Sequence, residues 1–384
     1  MNKNEIIFFI VLISQNLAFN FAHPVTPTLI TELALPSYTF GLAFGFMALS
    51  SFMFSKFWGY ISEMKQEKNI FFFGCVLYGL CQLMFLHSKT VFDILFARFL
   101  GGIFISAINV SSLVYIIKIS ESYKKARNIS LFTGLTSVMT AFGYLFGGFI
   151  GNSHLEYAFY LQFTTLVFCG LIFYLFGIKT NENRRLEQHK IIRSFNVFNN
   201  YMQVENHKIV NILLVIVFLT IFGQTIFEQT FNFYIKDIFN ILPARMGIIK
   251  SITGIIIIIA NLTIGNYILK SKNIHRRTSI VLILCSCFAV VTILFSNETV
   301  FLLGNYLFMS LNAVQLVLIQ SIYVDQTSDN AIGTYNCLKS LGWVFGGFVA
   351  GFAYDAYCDL PFIVVAILFL MSTLFFGKVT KLIK

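Results

Sequence analysis

Charge is scarce in this 384-residue sequence: Asp, Glu, Lys and Arg together make up 11%, against about 25% in soluble domains. A chain this long with so few charges cannot cover a water-facing surface, which excludes a soluble globular fold. Proline is also rare, at 5 residues, so long uninterrupted helices are permitted. The seven cysteines form no C-x-x-C pair and fall mostly inside apolar runs, so neither a disulfide frame nor a zinc site is expected. Walker, HExxH and GxSxG motifs are lacking, which argues against an enzyme and against a nucleotide-driven pump; no cofactor and no metal is expected. What is abundant is apolar: 57% of residues are hydrophobic, 46 are phenylalanine, and the mean hydropathy is +0.78.

A membrane-spanning helix takes about 20 mostly apolar residues. Such stretches predict twelve spans, at 6–30, 39–61, 70–86, 92–117, 129–151, 157–178, 209–234, 246–269, 278–296, 299–323, 331–353 and 360–377. The first is too long for the apolar part of a signal peptide and no small-residue cleavage site follows, so it is read as a retained span. The longest polar interruption follows the sixth span. The expected organisation is an all-α membrane protein with an N-terminal six-helix bundle (1–178), a cytoplasmic linker loop (179–208) and a C-terminal six-helix bundle (209–384).

The net charge of +10 does not indicate nucleic acid, because the basic residues are scattered over short loops rather than gathered on one face. They are instead asymmetric across the bilayer. With both termini cytoplasmic, 20 Lys and Arg fall inside and 4 outside (Lys89, Lys236, Arg245 and Lys250). This strong bias predicts cytoplasmic termini.

The halves repeat. Gly134, Gly143, Gly147, Gly148 and Gly151 in the fifth span set a ladder that Gly333, Gly342, Gly346 and Gly347 reproduce 199 residues later. Glycines at intervals of four let a neighbouring helix approach closely. A duplicated six-span unit is common among secondary transporters, which place substrate near the bilayer midplane between the repeats.

Polar residues inside spans are costly and tend to have a task. In the seventh span Gln224, Glu228 and Asn232 share one helix face. Glu228 suits proton carriage or cation binding, or else a structural ion pair. Asn16, Asn20 and His23 form a stripe in the first span that either lines a cavity or marks a kink at Pro24. His23 brings the side chain that ordinarily titrates nearest physiological pH. Arg98 in the fourth span is either a coupling residue or a structural one. Lys339 in the eleventh either reaches toward the headgroups, pairs with an acid, or binds an anionic substrate. Phe227 is a candidate wall for bulky ligands, and Asn312 and Gln315 in the tenth span are candidate substrate contacts.

Several of these motifs resemble the major facilitator superfamily, and within it the drug/proton antiporters of Gram-positive bacteria of the NorA and Bmr type. His23-Pro24-Val25-Thr26-Pro27 is similar to that subgroup's Pro-x-x-Pro element, and Arg98-Phe99-Leu100-Gly101-Gly102 to the superfamily's R-x-x-G-G. The fifth-span ladder is similar to the antiporter motif G-x8-G-x3-G-P-x2-G-G, with Gly148 in place of the proline and Asn152 in place of the last glycine. Phe227-Glu228 is similar to the subgroup's membrane-embedded glutamate. Two departures stand out. The loop motif G-x-x-x-D-[RK]-x-G-[RK]-[RK] reads Gly59-Tyr60-Ile61-Ser62-Glu63-Met64-Lys65-Gln66-Glu67-Lys68, keeping only an acid at Glu63. Asn312 stands in the tenth span, where the subgroup tends to carry an acid.

The resemblance implies a monomeric, proton-coupled exporter of small amphipathic compounds in the plasma membrane, its partners being substrate, protons and lipid. Glu228 and Arg98 would couple protons. Asn16, Asn20, His23, Gln224, Phe227, Asn232, Asn312, Gln315 and Lys339 would meet substrate. Gly59, Glu63 and the fifth-span glycines would form the conformational switch. Transport of an anionic or neutral metabolite, and an uncoupled lipid or solute facilitator, are the alternatives.

Overall fold

The computed structural model describes residues 3–64, 66–179, 208–294, 297–327 and 332–383. Most of the expected linker, residues 180–207, lies outside the described residues, as does the side chain of Glu63. No strand occurs among the described residues, and twelve helices are long and apolar enough to cross a membrane, in agreement with the sequence expectation.

In chain order the helices are α1 (Lys3–Phe19), α2 (Thr26–Glu32), α3 (Thr39–Met64), α4 (Glu67–Leu86), α5 (Val91–Ile119), α6 (Lys125–Ile150) and α7 (Leu155–Phe176), then α8 (Lys208–Asp237), α9 (Pro243–Ala260), α10 (Asn266–Leu269), α11 (Ile274–Leu294), α12 (Glu298–Asp325), α13 (Ile332–Ala356) and α14 (Leu360–Ile383). The expected first span is not one helix. The chain leaves α1 at Phe19, makes a 3₁₀ turn over His23–Val25 and re-enters as α2. Pro24 and Pro27 have no N–H to donate, so the α-helical ladder cannot run through them. The expected eighth span divides as well: α9 and α10 are joined by a π-helical stretch, Asn261–Gly265, a widening of the helix that inserts one extra residue per turn. Ends are set by local chemistry. Thr90 and Asp93 make reciprocal side-chain bonds to each other's backbone N–H at the start of α5, and Asn297 accepts from the N–H groups of Thr299 and Val300 at the start of α12.

The helices gather into two compact units. Unit 1 holds α1, α2, most of α3 and α4–α7, together with Ile241–Ser251 from the start of α9. Unit 2 holds α8, the rest of α9 and α10–α14, together with Pro36–Gly45 from the start of α3.

Between helices in lipid, close packing rather than water exclusion supplies the attraction, and aromatic rings supply much of it here. In unit 1 Phe8, Phe71, Tyr115 and Phe173 interlock with centroids 4.7–5.7 Å apart. In unit 2 Phe227 stacks on Phe308 at 3.8 Å and Tyr234 on Phe301 at 4.6 Å. Such pairs contribute about 0.5–1.5 kcal/mol each beyond the area they bury.

The glycine ladders lie at helix crossings. A Cβ on Gly143 would come 2.7 Å from Asn20 Cβ, and one on Gly147 would come 2.5 Å from Phe21 Cα, so α6 rides directly on the end of α1. In unit 2 the counterparts Gly342 and Gly346 bear in the same way on Ile221 and Thr225 of α8. Gly148 faces Gly247, Gly151 faces Val25, and Gly347 faces Gly45. Gly134 and Gly59 are different: a Cβ on either would meet nothing within 4 Å. The expected switch glycines therefore divide into four contact positions, three in α6 and Gly151 at its C-terminal cap, and two open ones.

Candidate functional site

Two polar regions stand out, one in each unit. In unit 2, Gln224, Glu228 and Asn232 follow one another along α8 at intervals of one turn, about 6 Å of helix rise, and all three are half-buried. The carbonyl oxygens of Gln224 and Asn232 are shielded from solvent and accept no hydrogen bond among the described residues. A buried acceptor left unpaired costs about 1–3 kcal/mol, so this stripe is poised to receive a donor. Phe227, one residue before Glu228, points elsewhere. It is fully buried between Phe308 and Phe362 and belongs to the packed interior. Phe227→Leu is accordingly expected to cost about 1 kcal/mol of stability and to leave substrate preference unchanged, as measured by thermal unfolding and a competition panel.

Asn312 and Gln315 are both fully buried in α12, where Gln315 donates to the Asn312 carbonyl at 3.0 Å. Asn312 lies one turn beyond Phe308, the ring stacked on Phe227. The Gln315 carbonyl oxygen accepts no bond among the described residues. Lys339 finds aromatic company on its own helix, with its ammonium 5.6 Å from the Tyr335 ring and 5.9 Å from the Trp343 ring, one turn to either side.

In unit 1, Arg98 is 6% exposed. It donates to the Thr26 hydroxyl at 3.4 Å and to the Met47 sulfur at 3.7 Å, and its guanidinium carbon lies 3.9 Å from the centre of the Phe85 ring. His23 stacks on Tyr144, centroids 5.4 Å apart. Asn16 and Asn20 turn back onto their own helix, donating to Leu12 and Asn16 carbonyls at 2.9 and 2.8 Å, and Asn20 also reaches the Thr140 hydroxyl of α6 at 3.5 Å. The first-span stripe thus separates: the two asparagines fasten α1, and His23 joins the Arg98 region.

Two features escaped the sequence reading. Lys250, assigned there to an outside loop, lies a full two turns into α9, is 8% exposed and sits 5.8 Å from the Tyr144 ring. The signal was present, since residue 250 falls inside the expected eighth span. Glu67, at the start of α4, is fully buried and ion-paired with Lys118, which also donates to the Ser62 carbonyl at 3.2 Å. Outside the spans, Lys124 bonds Glu121 at 2.6 Å and holds that carboxyl below its ordinary range.

Twelve membrane-length helices in two units, with polar stripes and a buried guanidinium inside them, define a polytopic membrane transporter. The chain belongs to the Major Facilitator Superfamily, whose family model matches residues 7–347. It is 22% identical over 374 residues to multidrug resistance protein 2 of Bacillus subtilis, covering 94% of this chain and 92% of that one. It is also 22% identical over 375 residues to the quinolone resistance protein NorA of Staphylococcus aureus, with the same coverage. Among solved structures it superposes on a bacterial homologue of the human lysosomal transporter Spinster with a TM-score of 0.78 at 10% identity, covering 98% of this chain and 96% of that one. The human organic anion transporter MFSD10 gives a TM-score of 0.67 at 16% identity, covering 97% and 98%. Those two likenesses establish the fold.

Proposed function

We propose that this transporter is a proton-coupled exporter of small amphipathic compounds, working as a monomer in the plasma membrane with both termini cytoplasmic. Residues 1–178 and 209–384 would be its covalent halves, joined by a cytoplasmic linker at 179–208. The observation that carries the reading is the α8 stripe. Glu228 lies between two amide oxygens that are buried and lack donors, so a protonated carboxyl or a ligand N–H⁺ entering the stripe satisfies them. Proton and ligand would then compete for one place. An imposed proton gradient would drive their exchange as the stripe is exposed to each side in turn. The distant relatives named for multidrug and quinolone resistance support the substrate class. The 20-to-4 charge bias supports the orientation. Arg98, with no carboxylate in ion-pair distance among the described residues, is the second proposed coupling residue.

The test is uptake of an amphipathic cationic dye by everted membrane vesicles. Wild-type vesicles are expected to accumulate dye when a proton gradient is imposed and to lose it when the gradient collapses. Glu228→Gln is expected to lose the gradient-dependent part by about a hundredfold, the scale of a lost proton-transfer group. Undiminished gradient dependence in Glu228→Gln would sink the proposal.

A further inference from the structure

One end of unit 1 collects positive charge in its interior. Arg98 sits two turns into α5 and Lys250 two turns into α9, and both are more than nine-tenths buried. His23, in the turn between α1 and α2, stands three residues before Thr26, whose hydroxyl Arg98 meets. Tyr144 is flanked by the His23 ring and the Lys250 ammonium. The carboxylates at this end face outward: Glu32, Asp93 and Glu156 are exposed, and Asp93 is occupied by the N–H groups of Lys89 and Thr90. Among the described residues no carboxylate lies within ion-pair distance of Arg98. Its bonds go to a hydroxyl and a thioether, which leaves most of the five guanidinium N–H donors without an acceptor.

A charge inside a bilayer calls for a partner, and two like charges near one imidazole reinforce each other's field. An anion relieves both. We propose that this end of unit 1 is a binding site for an organic anion, a carboxylate, sulfonate or phosphate on an apolar body. Arg98 receives the acidic group through its planar fork, which matches two oxygens at once. Lys250 acts as the second, point-like charge. Phe85 and Tyr144 offer aromatic walls for the apolar part. The site goes beyond proton-coupled export, since it does not include Glu228 and its occupancy needs no gradient.

The experiment is equilibrium binding of radiolabelled 1-naphthoate to the full chain in nanodiscs of zwitterionic lipid, with 1-naphthylmethylammonium as the cationic control. Wild-type protein is expected to bind naphthoate, and an excess of the ammonium compound, whose charge suits the Glu228 stripe instead, is expected not to displace it. Lys250→Gln and Arg98→Gln are each expected to weaken naphthoate binding at least about tenfold, and Lys250→Arg, which keeps the charge, is expected to retain it. A second arm adds phosphatidylglycerol to the nanodiscs. Displacement of naphthoate there identifies a lipid headgroup as one source of the anionic group, and its absence assigns the site to free solutes. Naphthoate binding that is undetectable in wild type, or unchanged in Lys250→Gln, overturns the proposal, as does displacement of naphthoate by the ammonium compound. If Arg98→Gln does not fold, the Lys250→Gln and Lys250→Arg pair decides alone. Loss of gradient-driven transport without loss of naphthoate binding would count against the export reading only.

Discussion

Gly147→Leu is expected to leave almost no folded transporter in a detergent extract, whereas Gly134→Leu in the same helix should behave like the wild type. The difference comes from what each Cβ would meet. At Gly147 the obstacle is the Phe21 backbone, with Cα 2.5 Å and the carbonyl carbon 2.6 Å away. A side chain can rotate aside, but a backbone in the tight turn after α1 cannot. The extra atoms must push α6 off α1, opening the crossing that Gly143 and Gly151 also serve. Overpacking of a well-packed interior costs about 1–3 kcal/mol, and a clash with main chain falls at or above the top of that range. Total stability is about 5–15 kcal/mol, so for a protein at the low end of that range a loss of this size, added to the disrupted crossing, removes most of the margin. Gly134 is exposed and a Cβ there meets nothing within 4 Å, while leucine is the better helix former by about 0.8 kcal/mol. Fluorescence-detected size exclusion and thermal unfolding of the two variants check the contrast. Equal monodispersity and melting would refute the packing argument.

Lys118→Met is expected to destabilise by about 3 kcal/mol, and more than Glu67→Gln, although both break the same ion pair. Removing one partner of a buried pair costs about 3–5 kcal/mol because the other charge is left uncompensated, so the penalty depends on which charge remains. Glu67 is fully buried, while the Lys118 side chain keeps 27% of its exposure. Without Lys118 a buried carboxylate loses its ammonium, and its place at the start of α4, where the helix dipole favours negative charge, offsets part of the cost. Without Glu67 the ammonium reaches water and still holds the Ser62 carbonyl, so a cost nearer 1–2 kcal/mol is expected. Melting temperatures of the two variants and the double variant give the comparison. A larger loss in Glu67→Gln would reverse the assignment of the buried charge.

The parts of this fold that were legible in the sequence are those written in hydropathy. Twelve spans stand out because each must present about 20 apolar residues to lipid, whatever its neighbours. The duplicated ladder was legible for a related reason, since glycine at a fixed spacing has few uses other than close approach. What each glycine approaches was not legible: nothing in the local sequence distinguishes Gly134, which touches nothing, from Gly147, which touches Phe21. The break at Pro24 could be read from a missing N–H, whereas the π-helical stretch at Asn261–Gly265 has no proline to announce it.

Charged residues were harder still. Lys250 was read as a loop residue because it stands near the start of its span, and only the fold of α9 carries it two turns deep. Glu67 looked like an ordinary loop acid because its partner Lys118 is 51 residues away. The α8 stripe was visible from spacing alone, but the unpaired state of its two amide oxygens is a property of the packing around them.

Unit 1 includes Ile241–Ser251, a piece of chain that follows α8. The order of synthesis therefore matters. When a ribosome has delivered only the first seven helices to the membrane, the face that Gly148 turns toward Gly247 has no occupant, and it stays bare until more than sixty further residues have emerged. A nascent first half is thus an unfinished object that needs shelter from the insertion machinery or from lipid. Cutting the gene in the connection between α7 and α8 would yield a first fragment without its last packing segment, not two self-sufficient parts.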